Sequence, residues 1–342
     1  MTAATTTGVK PRPTKLGAKL PADSTLPKVS LEHAFILPPV LAQWRTAVAD
    51  GSTFYAQGII DDRLIVVQGT WGGQTRYVEW HDPQGVGTDY RLEPSSATSL
   101  LVVPRHGVLA RPFTHLLAPT NAFSSRVSVG ISPLLARRLI FDVACDEGGL
   151  IWVLHAAGTE GDLGLVLSAF DQSGHLRWSG TTPVTAIDED SAETVAVRAR
   201  NGFVCVTHGS AVHVVAHARG ADHWLPPIDV VRAIRSVGTS PPHTRARFVI
   251  SLEEGGRVLW PDDHATEPFG ASLLDPAACI TPDGMVAAVG RNHGILYRMS
   301  GKDLSLAAPF AARVDTPIAV TPAPGGFASF YSDGLVQVMT CA

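Results

Sequence analysis

Short apolar runs separated by acidic, glycine-rich turns make up most of the chain after residue 52. The pattern is clearest in the stretch 139–180, where the apolar runs lie at 139–144, 150–155, 163–170 and 176–179. Runs of about four to eight aliphatic and β-branched residues, bounded by Gly, Asp and Asn, are typical of β-strands. The stretch therefore predicts four short strands in succession.

The same quartet of runs recurs along the chain. Further copies are found at 52–94, 98–131, 193–226, 230–263, 275–310 and 316–342. The turn between the first two runs of each copy falls near residues 62, 107, 148, 202, 241, 284 and 325. A drifting period of about 40–45 residues with four strands per unit is the signature of a β-propeller. We therefore predict an all-β, seven-bladed β-propeller; because the second and fifth copies are poorly marked, six or eight blades also fit the pattern.

The last copy ends after its third run, so its blade lacks a fourth strand. A propeller commonly closes its ring by letting the opposite end of the chain supply the absent strand. The alternating run LEHAFIL at 31–37 precedes the first copy and suits that role. The segment 38–50, PPVLAQWRTAVAD, is interpreted as a connector or a short helix because Pro39 fits a helix start.

Two other architectures fit the pattern less well. A doubly wound α/β fold needs amphipathic helices of about 10–15 residues between its strands, whereas the gaps here are short and glycine-rich. A β-sandwich would not use so many strands in a repeating quartet. Tryptophans also recur, with Trp178 and Trp224 in the fourth run and Trp80 and Trp260 at the end of the third.

Two phrases carry a resemblance to a known group of folds. They are D-x-x-G-x-I-W-V, which begins at Asp146, and F-D-x-S-G-x-L-R-W-S, which begins at Phe170. Both look like blades of the broad WD40, NHL and quinoprotein-like propeller group, and the likeness covers most of residues 52–342. The Gly-His and Trp-Asp pairs of WD40 blades are not systematic here, and no tryptophan-docking signature of quinoproteins is spread over the blades. The resemblance therefore implies the fold alone, and we expect no cofactor.

Composition places limits on the partner and the compartment. The net charge of −4 argues against a nucleic-acid partner, because such proteins normally carry a basic surplus. The cysteines at 145, 205, 279 and 341 are far apart, which suggests core thiols in a reducing compartment. No apolar run resembles a signal peptide or reaches the roughly 20 residues of a membrane helix. We expect a cytoplasmic protein that contacts no membrane.

Residues 1–28 differ in composition from the rest of the chain. They are rich in Thr, Pro, Lys and Ala and poor in large apolar residues. Such composition predicts a disordered N-terminal arm, followed by a single propeller domain at 29–342. The basic residues of the arm could dock to an acidic partner, but a plain disordered tail is the simpler interpretation.

In a propeller of this kind, the gaps between second and third strands and the links between blades share one face. Variable loops converge there on a rigid scaffold, so we expect binding on that face. Its mixed polar character, with one tryptophan taken as exposed, suits protein recognition. The candidate binding residues are Trp71, His115, Asn121, Asp188, His208, Glu253, Arg291, His293, Tyr331 and Asp333.

Catalytic and metal-binding motifs are weak. His208, His213 and His217 are the strongest metal candidates, yet strand residues four apart are separated by roughly 13 Å, too far to share one ion unaided. We therefore predict no metal site. No nucleophile elbow or phosphate-binding loop is present in the sequence.

The leading hypothesis is a non-enzymatic scaffold that presents the loop face of the propeller to a protein partner. One version, which rests on analogy of fold alone, places it in a bacterial multi-protein system with an AAA+ ATPase. The alternative is a propeller hydrolase or lyase with a metal or polar cluster at the mouth of the central channel. An enzyme would need several convergent acids or histidines with shifted pKa values in one pocket.

Overall fold

The computed structural model of the chain describes most of the predicted propeller. The described residues are 27–80, 90–96, 99–104, 113–117, 126–130, 140–157, 164–171, 173–184, 195–217, 223–230, 232–241 and 244–342. The predicted arm lies outside these residues, apart from Pro27 and Lys28. Within them the regular structure consists of 29 β-strands and one turn of 3-10 helix at Pro261–Asp263. None of the described helical structure is long or apolar enough to cross a membrane.

The strands form seven antiparallel sheets, which we number as blades in chain order. The first strand, β1 (Val29–Ile36), precedes blade 1. Blade 1 contains β2 (Gln43–Asp50), β3 (Thr53–Ile60), β4 (Arg63–Thr70) and β5 (Thr75–Trp80). Blade 2 contains β6 (Tyr90–Ser96), β7 (Ser99–Pro104), β8 (Phe113–Leu117) and β9 (Arg126–Gly130). Blade 3 contains β10 (Ile140–Cys145), β11 (Ile151–Ala156), β12 (Leu165–Phe170) and β13 (Leu176–Thr181).

The remaining blades follow the same order from the inner to the outer strand. Blade 4 contains β14 (Ala196–Arg200), β15 (Phe203–His208), β16 (Ala211–Ala216) and an outer strand in two pieces, β17 (His223–Trp224) and β18 (Ile228–Asp229). Blade 5 contains β19 (Ile234–Thr239), β20 (Phe248–Leu252), β21 (Glu254–Trp260) and β22 (Ala265–Leu274). Blade 6 contains β23 (Ala277–Ile280), β24 (Met285–Val289), β25 (His293–Ser300) and β26 (Asp303–Ala311). Blade 7 contains β27 (Ala319–Ala323), β28 (Gly326–Phe330) and β29 (Leu335–Cys341).

The innermost strands arrange the seven sheets in a ring. Each of β2, β6, β10, β14, β19, β23 and β27 contacts the innermost strand of the next sheet, and β27 contacts β2. Sheets repeated radially around a channel define a β-propeller, so the all-β propeller prediction is confirmed. The number of sheets equals the number of repeats counted in the sequence.

Blade 7 takes its fourth strand from the beginning of the chain, as predicted. β1 pairs antiparallel with β29, from Val29 opposite Cys341 to Ile36 opposite Leu335. The pairing continues beyond the strand, because Lys28 and Ala342 exchange backbone hydrogen bonds of 2.7 and 3.1 Å. Lys28 therefore extends the pairing with the carboxy-terminal strand by one residue before β1.

Aromatic side chains fill the junction between the closing blade and blade 1. The Phe35 ring of β1 stacks on Phe54 of β3 with centroids 5.9 Å apart, and Phe54 meets Phe330 of β28 edge-on at 5.3 Å. Trp71 lies in the same core cluster, and the backbone carbonyl of Trp71 accepts a hydrogen bond from the His33 ring. The terminal strand is thus held by packing as well as by backbone pairing.

An ion pair inside the ring connects three consecutive blades. One carboxylate oxygen of Asp142, in β10, accepts hydrogen bonds from the Val197 N–H at 2.7 Å and from Arg198 at 3.2 Å. The same Arg198 side chain donates to the carbonyl of Val237, in β19, at 2.8 Å. Because both charged groups are largely buried and multiply bonded, loss of either one would leave an unpaired charge in the interior.

The segment 38–50, predicted to be a connector or a short helix, is a connector only at 38–42, because Gln43–Asp50 is the inner strand of blade 1. A β-bulge between Trp44 and Thr46 inserts Arg45 into the pairing with β3. The bulge breaks the two-residue alternation by which a strand is recognised in a sequence. Blade 1 therefore begins one strand earlier than predicted.

The same displacement affects blade 2, whose inner strand is Tyr90–Ser96 rather than the run after residue 98. That strand contains Pro94, which argues against a central strand but is tolerated at a sheet edge. The turns near 62 and 107 consequently join second to third strands rather than first to second. Trp80 lies in the outer strand of its blade, not at the end of the third strand as predicted.

The cysteines behave as the sequence analysis expected. Cys145, Cys205 and Cys279 are buried, Cys341 is half-buried, and none of the four forms a disulfide bond. Burial raises the pKa of Cys205 to about 12 and that of Cys341 to about 11. These thiols are therefore protonated and inert near neutral pH.

Glycines let aromatic rings lie directly on neighbouring strands. A methyl group built on Gly294, in β25, would overlap the ring of Phe310 on the paired strand β26. At Gly72, by contrast, the nearest atom to such a methyl group is 4.0 Å away. The two positions form a matched pair for testing the packing of blade 6.

We expect Gly294→Ala to lower the free energy of unfolding by ~1–3 kcal/mol, because the added methyl must displace Phe310. Gly72→Ala should change it by less than about 0.5 kcal/mol. Urea unfolding followed by tryptophan fluorescence measures both variants. Equal stability of the two variants would show that Phe310 does not cover Gly294.

Candidate interaction face

The ends of the strands divide the propeller into two faces. The loop face carries the turns between second and third strands and the links from one blade to the next. The turn face carries the turns between first and second strands and between third and fourth strands. Blades 1 and 2 each begin one strand earlier than predicted. Turns of these two blades that were predicted on the loop face therefore lie on the turn face, and those predicted on the turn face lie on the loop face.

Six of the ten predicted binding residues lie at the loop face of blades 4–7. They are His208, Glu253, Arg291, His293, Tyr331 and Asp333. His115 lies in β8, the third strand of blade 2, rather than in a loop as predicted. Asn121 and Asp188 lie outside the described residues, so their assignment stays a prediction.

Trp71 is not the exposed aromatic anchor that the sequence suggested. It follows β4 in the turn between third and fourth strands, which places it on the turn face, and only 7% of the residue is exposed. Its indole N–H donates to the carbonyl of Gly51 at 3.0 Å, and its ring packs against Phe54 at 5.2 Å. Trp71 is a core residue at the junction of blades 7 and 1.

Arg313, in the link from blade 6 to blade 7, organises one part of the loop face. Its guanidinium contacts Asp333 at 2.7 Å and Asp315 at 3.2 Å. The guanidinium also lies 5.3 Å from the centre of the Tyr331 ring, a cation–π distance. Tyr331 itself is buried and donates its hydroxyl to Gln337 at 3.1 Å. The predicted residues Tyr331 and Asp333 are thus joined by an arginine that the sequence analysis did not select.

The charged groups in this cluster shift one another's pKa values. Partial burial raises the pKa of Asp333, but hydrogen bonds from Arg313 and from the Leu335 N–H outweigh it and hold the pKa below the ordinary 3.8. The Asp333 carboxylate in turn raises the pKa of Arg313. Burial raises the pKa of Tyr331. The cluster is therefore a fixed ion pair over a neutral phenol, and these shifts follow from its structure.

A second group of ion pairs occupies the loop face of blade 5. Arg235, the bulged residue at the start of β19, lies 3.4 Å from Glu253 and 3.3 Å from Asp275. Arg232 contacts Glu254 at 2.6 Å. The predicted residue Glu253 is thus already paired within the chain.

Exposed aliphatic residues that the sequence did not predict lie at three successive blade junctions on the loop face. Leu274 ends β22 before blade 6, Val314 lies in the link before blade 7, and Val40 and Leu41 lie in the link before blade 1. Their exposed fractions are 62%, 70%, 71% and 86%, respectively. Each link also contains proline, in the sequences LDP, VDTP and PPVL. An aliphatic residue close to a proline between two blades was therefore the signal in the sequence that could have identified these positions.

The three candidate histidines do not converge on one point. In the pairing of β15 with β16, His208 lies opposite Ala211 and Val206 opposite His213, so the two histidines are diagonal neighbours. His217 packs edge-on against Trp152, with ring centres 4.9 Å apart. Within the described part of the chain, no three His, Cys, Asp or Glu side chains are grouped closely enough to hold a metal ion.

The two propeller-like phrases of blade 3 form turns on the turn face. The Asp146 carboxylate accepts hydrogen bonds from the Leu150 N–H at 2.9 Å and the Trp152 indole at 3.0 Å. Asp171 accepts from the His175 and Ser173 N–H groups and from Arg177, and the His175 bond is the main reason that its pKa falls to about 2. These residues build the fold rather than a binding site.

A small cavity of about 140 Å³ opens between blades 4 and 5. It exists because Leu225, Pro226 and Pro227 separate the two pieces of the outer strand of blade 4. Its lining includes these residues and the indole of Trp260, and His264 is the one polar side chain that the described residues contribute. It has room for an apolar side chain but offers few polar anchors.

Comparison with known proteins supports the fold. No protein-family profile matches the sequence, and no curated protein sequence matches it. Among solved structures, the chain is similar to one in the crystal structure of a mitotic checkpoint complex, with a TM-score of 0.58, 10% sequence identity, and coverage of 97% of this chain and 98% of that chain. That neighbour is a WD40 propeller. The chain therefore shares the β-propeller fold with that neighbour, and at this identity the likeness concerns the fold alone.

Because the pKa of Asp333 is lowered, the stability that its pairing with Arg313 contributes should depend on pH. A carboxyl whose pKa is lower in the folded state adds stability above its ordinary pKa, and that stability is lost as the pH falls through the folded value. We therefore expect Arg313→Gln to be less stable than the wild type near pH 7, with a smaller difference near pH 3. Urea unfolding at the two pH values measures this.

Arg291→Gln is the matched control for this prediction, because Arg291 donates to the Thr316 hydroxyl at 3.0 Å rather than to a carboxylate. Its effect on stability should be similar at both pH values. If the difference in stability between the wild type and Arg313→Gln stays constant or grows as the pH is lowered, the result would contradict the proposed ion pair.

Proposed function

We propose that residues 29–342 act as one unit, a protein-interaction platform whose contact surface is the loop face of blades 5–7 and the link into blade 1. We call this surface the interaction arc. The observation that carries the proposal is the presence of exposed aliphatic residues at three successive blade junctions of the loop face, at Leu274, Val314 and Val40–Leu41. Scattered exposed aliphatic residues are ordinary, but their alignment along one arc of one face favours binding.

The links of the arc are held in place before any partner arrives. The Asp275 N–H donates to the Glu253 carbonyl at 2.8 Å, and Asn292 and the Arg313 link exchange bonds of 2.7 and 3.0 Å. The Ile318 N–H donates to Phe330 at 2.8 Å. Loops fixed in this way lose little entropy on binding, which favours recognition by a rigid surface.

The composition of the arc also suits a protein partner. Aliphatic side chains alternate with arginine–carboxylate pairs, which resembles an interface with apolar contacts and a polar rim. The structural neighbour comes from a multi-protein complex, which is consistent with a scaffold role. Association with a bacterial AAA+ ATPase stays a prediction.

The test is a double substitution, Leu274→Asp with Val314→Asp, compared with Leu306→Asp. Leu306 is 57% exposed but lies on β26, the outer strand of blade 6, away from the arc. Partners captured by the wild-type protein from its native host would be identified, purified and titrated against each variant. We expect the arc variant to bind at least about tenfold more weakly, because each buried aliphatic contact contributes more than ~1 kcal/mol.

The control variant should bind like the wild type, and circular dichroism should show that all three proteins are folded. Equal affinity of the wild type and the arc variant, or a selective loss in Leu306→Asp, would contradict the proposal. The first result would remove the arc from the interface, and the second would move the interface to the outer strands.

A further inference from the structure

We infer that the partner segment received by the interaction arc is uncharged and aliphatic, and that the arc does not select its partner by charge. This inference rests on the proposed function, because it names the chemistry of the partner at the same surface. It follows from two observations. The carboxylates of the arc already form ion pairs with its arginines, and the aliphatic residues between them are exposed.

The charges of the arc nearly balance. The arginines are Arg232, Arg235, Arg291 and Arg313, and the carboxylates are Glu253, Glu254, Asp275, Asp315 and Asp333. The formal charge of the arc is therefore −1. A surface this close to neutrality exerts little long-range attraction on a partner of either sign.

The carboxylates of the arc already have arginine partners, and Arg235 and Arg313 each contact two of them. Every one of the five carboxylates lies within 3.4 Å of Arg232, Arg235 or Arg313. A charged partner would have to displace these pairs to form its own, and exposed pairs of this kind contribute little net energy when exchanged. The ion pairs are better suited to exclude water around the aliphatic contacts than to recognise charge.

The aliphatic residues, in contrast, have no partner surface within the described chain. Leu41 is 86% exposed, whereas the neighbouring Leu37 and Ala42 of the same link are buried. Likewise, Leu274 is exposed beside the fully buried Leu273. The free energy still to be gained at this surface therefore comes from burial of apolar area, at about 25 cal/mol per Å².

The experiment selects peptides rather than waiting for the natural partner. Phage displaying random 16-residue peptides would be selected on the full-length protein, and enriched peptides would be synthesised and titrated at about 50 mM and about 500 mM NaCl. Charged contacts at a surface weaken over this range because the Debye length falls from about 14 to about 4 Å. We expect enriched peptides to be rich in Leu, Ile, Val and Phe, with affinities that change less than about threefold.

Two sets of variants assign the binding to the arc. A neutral substitution, Leu274→Gln with Val314→Gln, should weaken the selected peptides by at least about tenfold without altering the charge of the arc. Removing a whole ion pair, with Arg232→Gln and Glu254→Gln together, should change their affinity less than about threefold, because an exposed pair is worth little. Leu306→Gln serves as the control outside the arc.

The outcomes separate this inference from the proposed function. Peptides that depend on Leu274 and Val314 but are enriched in one sign of charge, with affinity falling steeply in salt, would overturn the inference and leave the platform intact. Peptides that are unaffected by the Leu274 and Val314 substitutions, or no enrichment above a column without protein, would overturn both. Aliphatic, salt-insensitive peptides that require both residues would support both.

Discussion

The pairing of β1 with β29 is the interaction on which the rest of the structure depends. It joins residues 310 positions apart, such as Ser30 and Thr340, whose hydroxyls lie 3.0 Å apart. Without it, blade 7 would end in an open edge and the core shared by Phe35, Phe54 and Phe330 would be exposed to water. Every blade is packed between two neighbours, so one missing strand affects the whole ring.

Closure also determines what the loop face can do. Links that cross from an outer strand to the next inner strand keep their positions only while both blades are docked. Bulges at Arg45, Phe141 and Arg235 lie near the start of three inner strands, where those strands leave the loop face. The face is therefore a fixed surface on which aliphatic residues stand between paired charges. Its proposed role in protein recognition follows from that arrangement rather than from any single residue.

Local sequence explains which parts could be predicted. Blade 3 was assigned correctly because the turns at Asp146 and Asp171 are built by their own carboxylates, a signal contained within a few residues. The predicted start of blade 1 was one strand too late because the bulge at Arg45 breaks the alternation of side chains along its inner strand. The exposed aliphatic residues could not be read from pattern, because exposure is decided by distant packing: Leu273 is fully buried and Leu274 beside it is 62% exposed. Trp71 was placed on the wrong face because the predicted strands of blade 1 were displaced by one.

The most direct test of closure is the stability of a circular permutant. Ala342 would be joined to Lys28 by a two-residue turn, which makes β29 and β1 a covalent hairpin like the outer hairpins of the other blades, and the chain would be opened between Gly301 and Lys302 in blade 6. The account predicts a single cooperative urea transition with a midpoint close to that of the wild-type protein, since the backbone bonds between Lys28 and Ala342 already bring the ends together. A permutant that fails to fold, or that unfolds in separate steps while the unlinked chain does not, would contradict the closed ring.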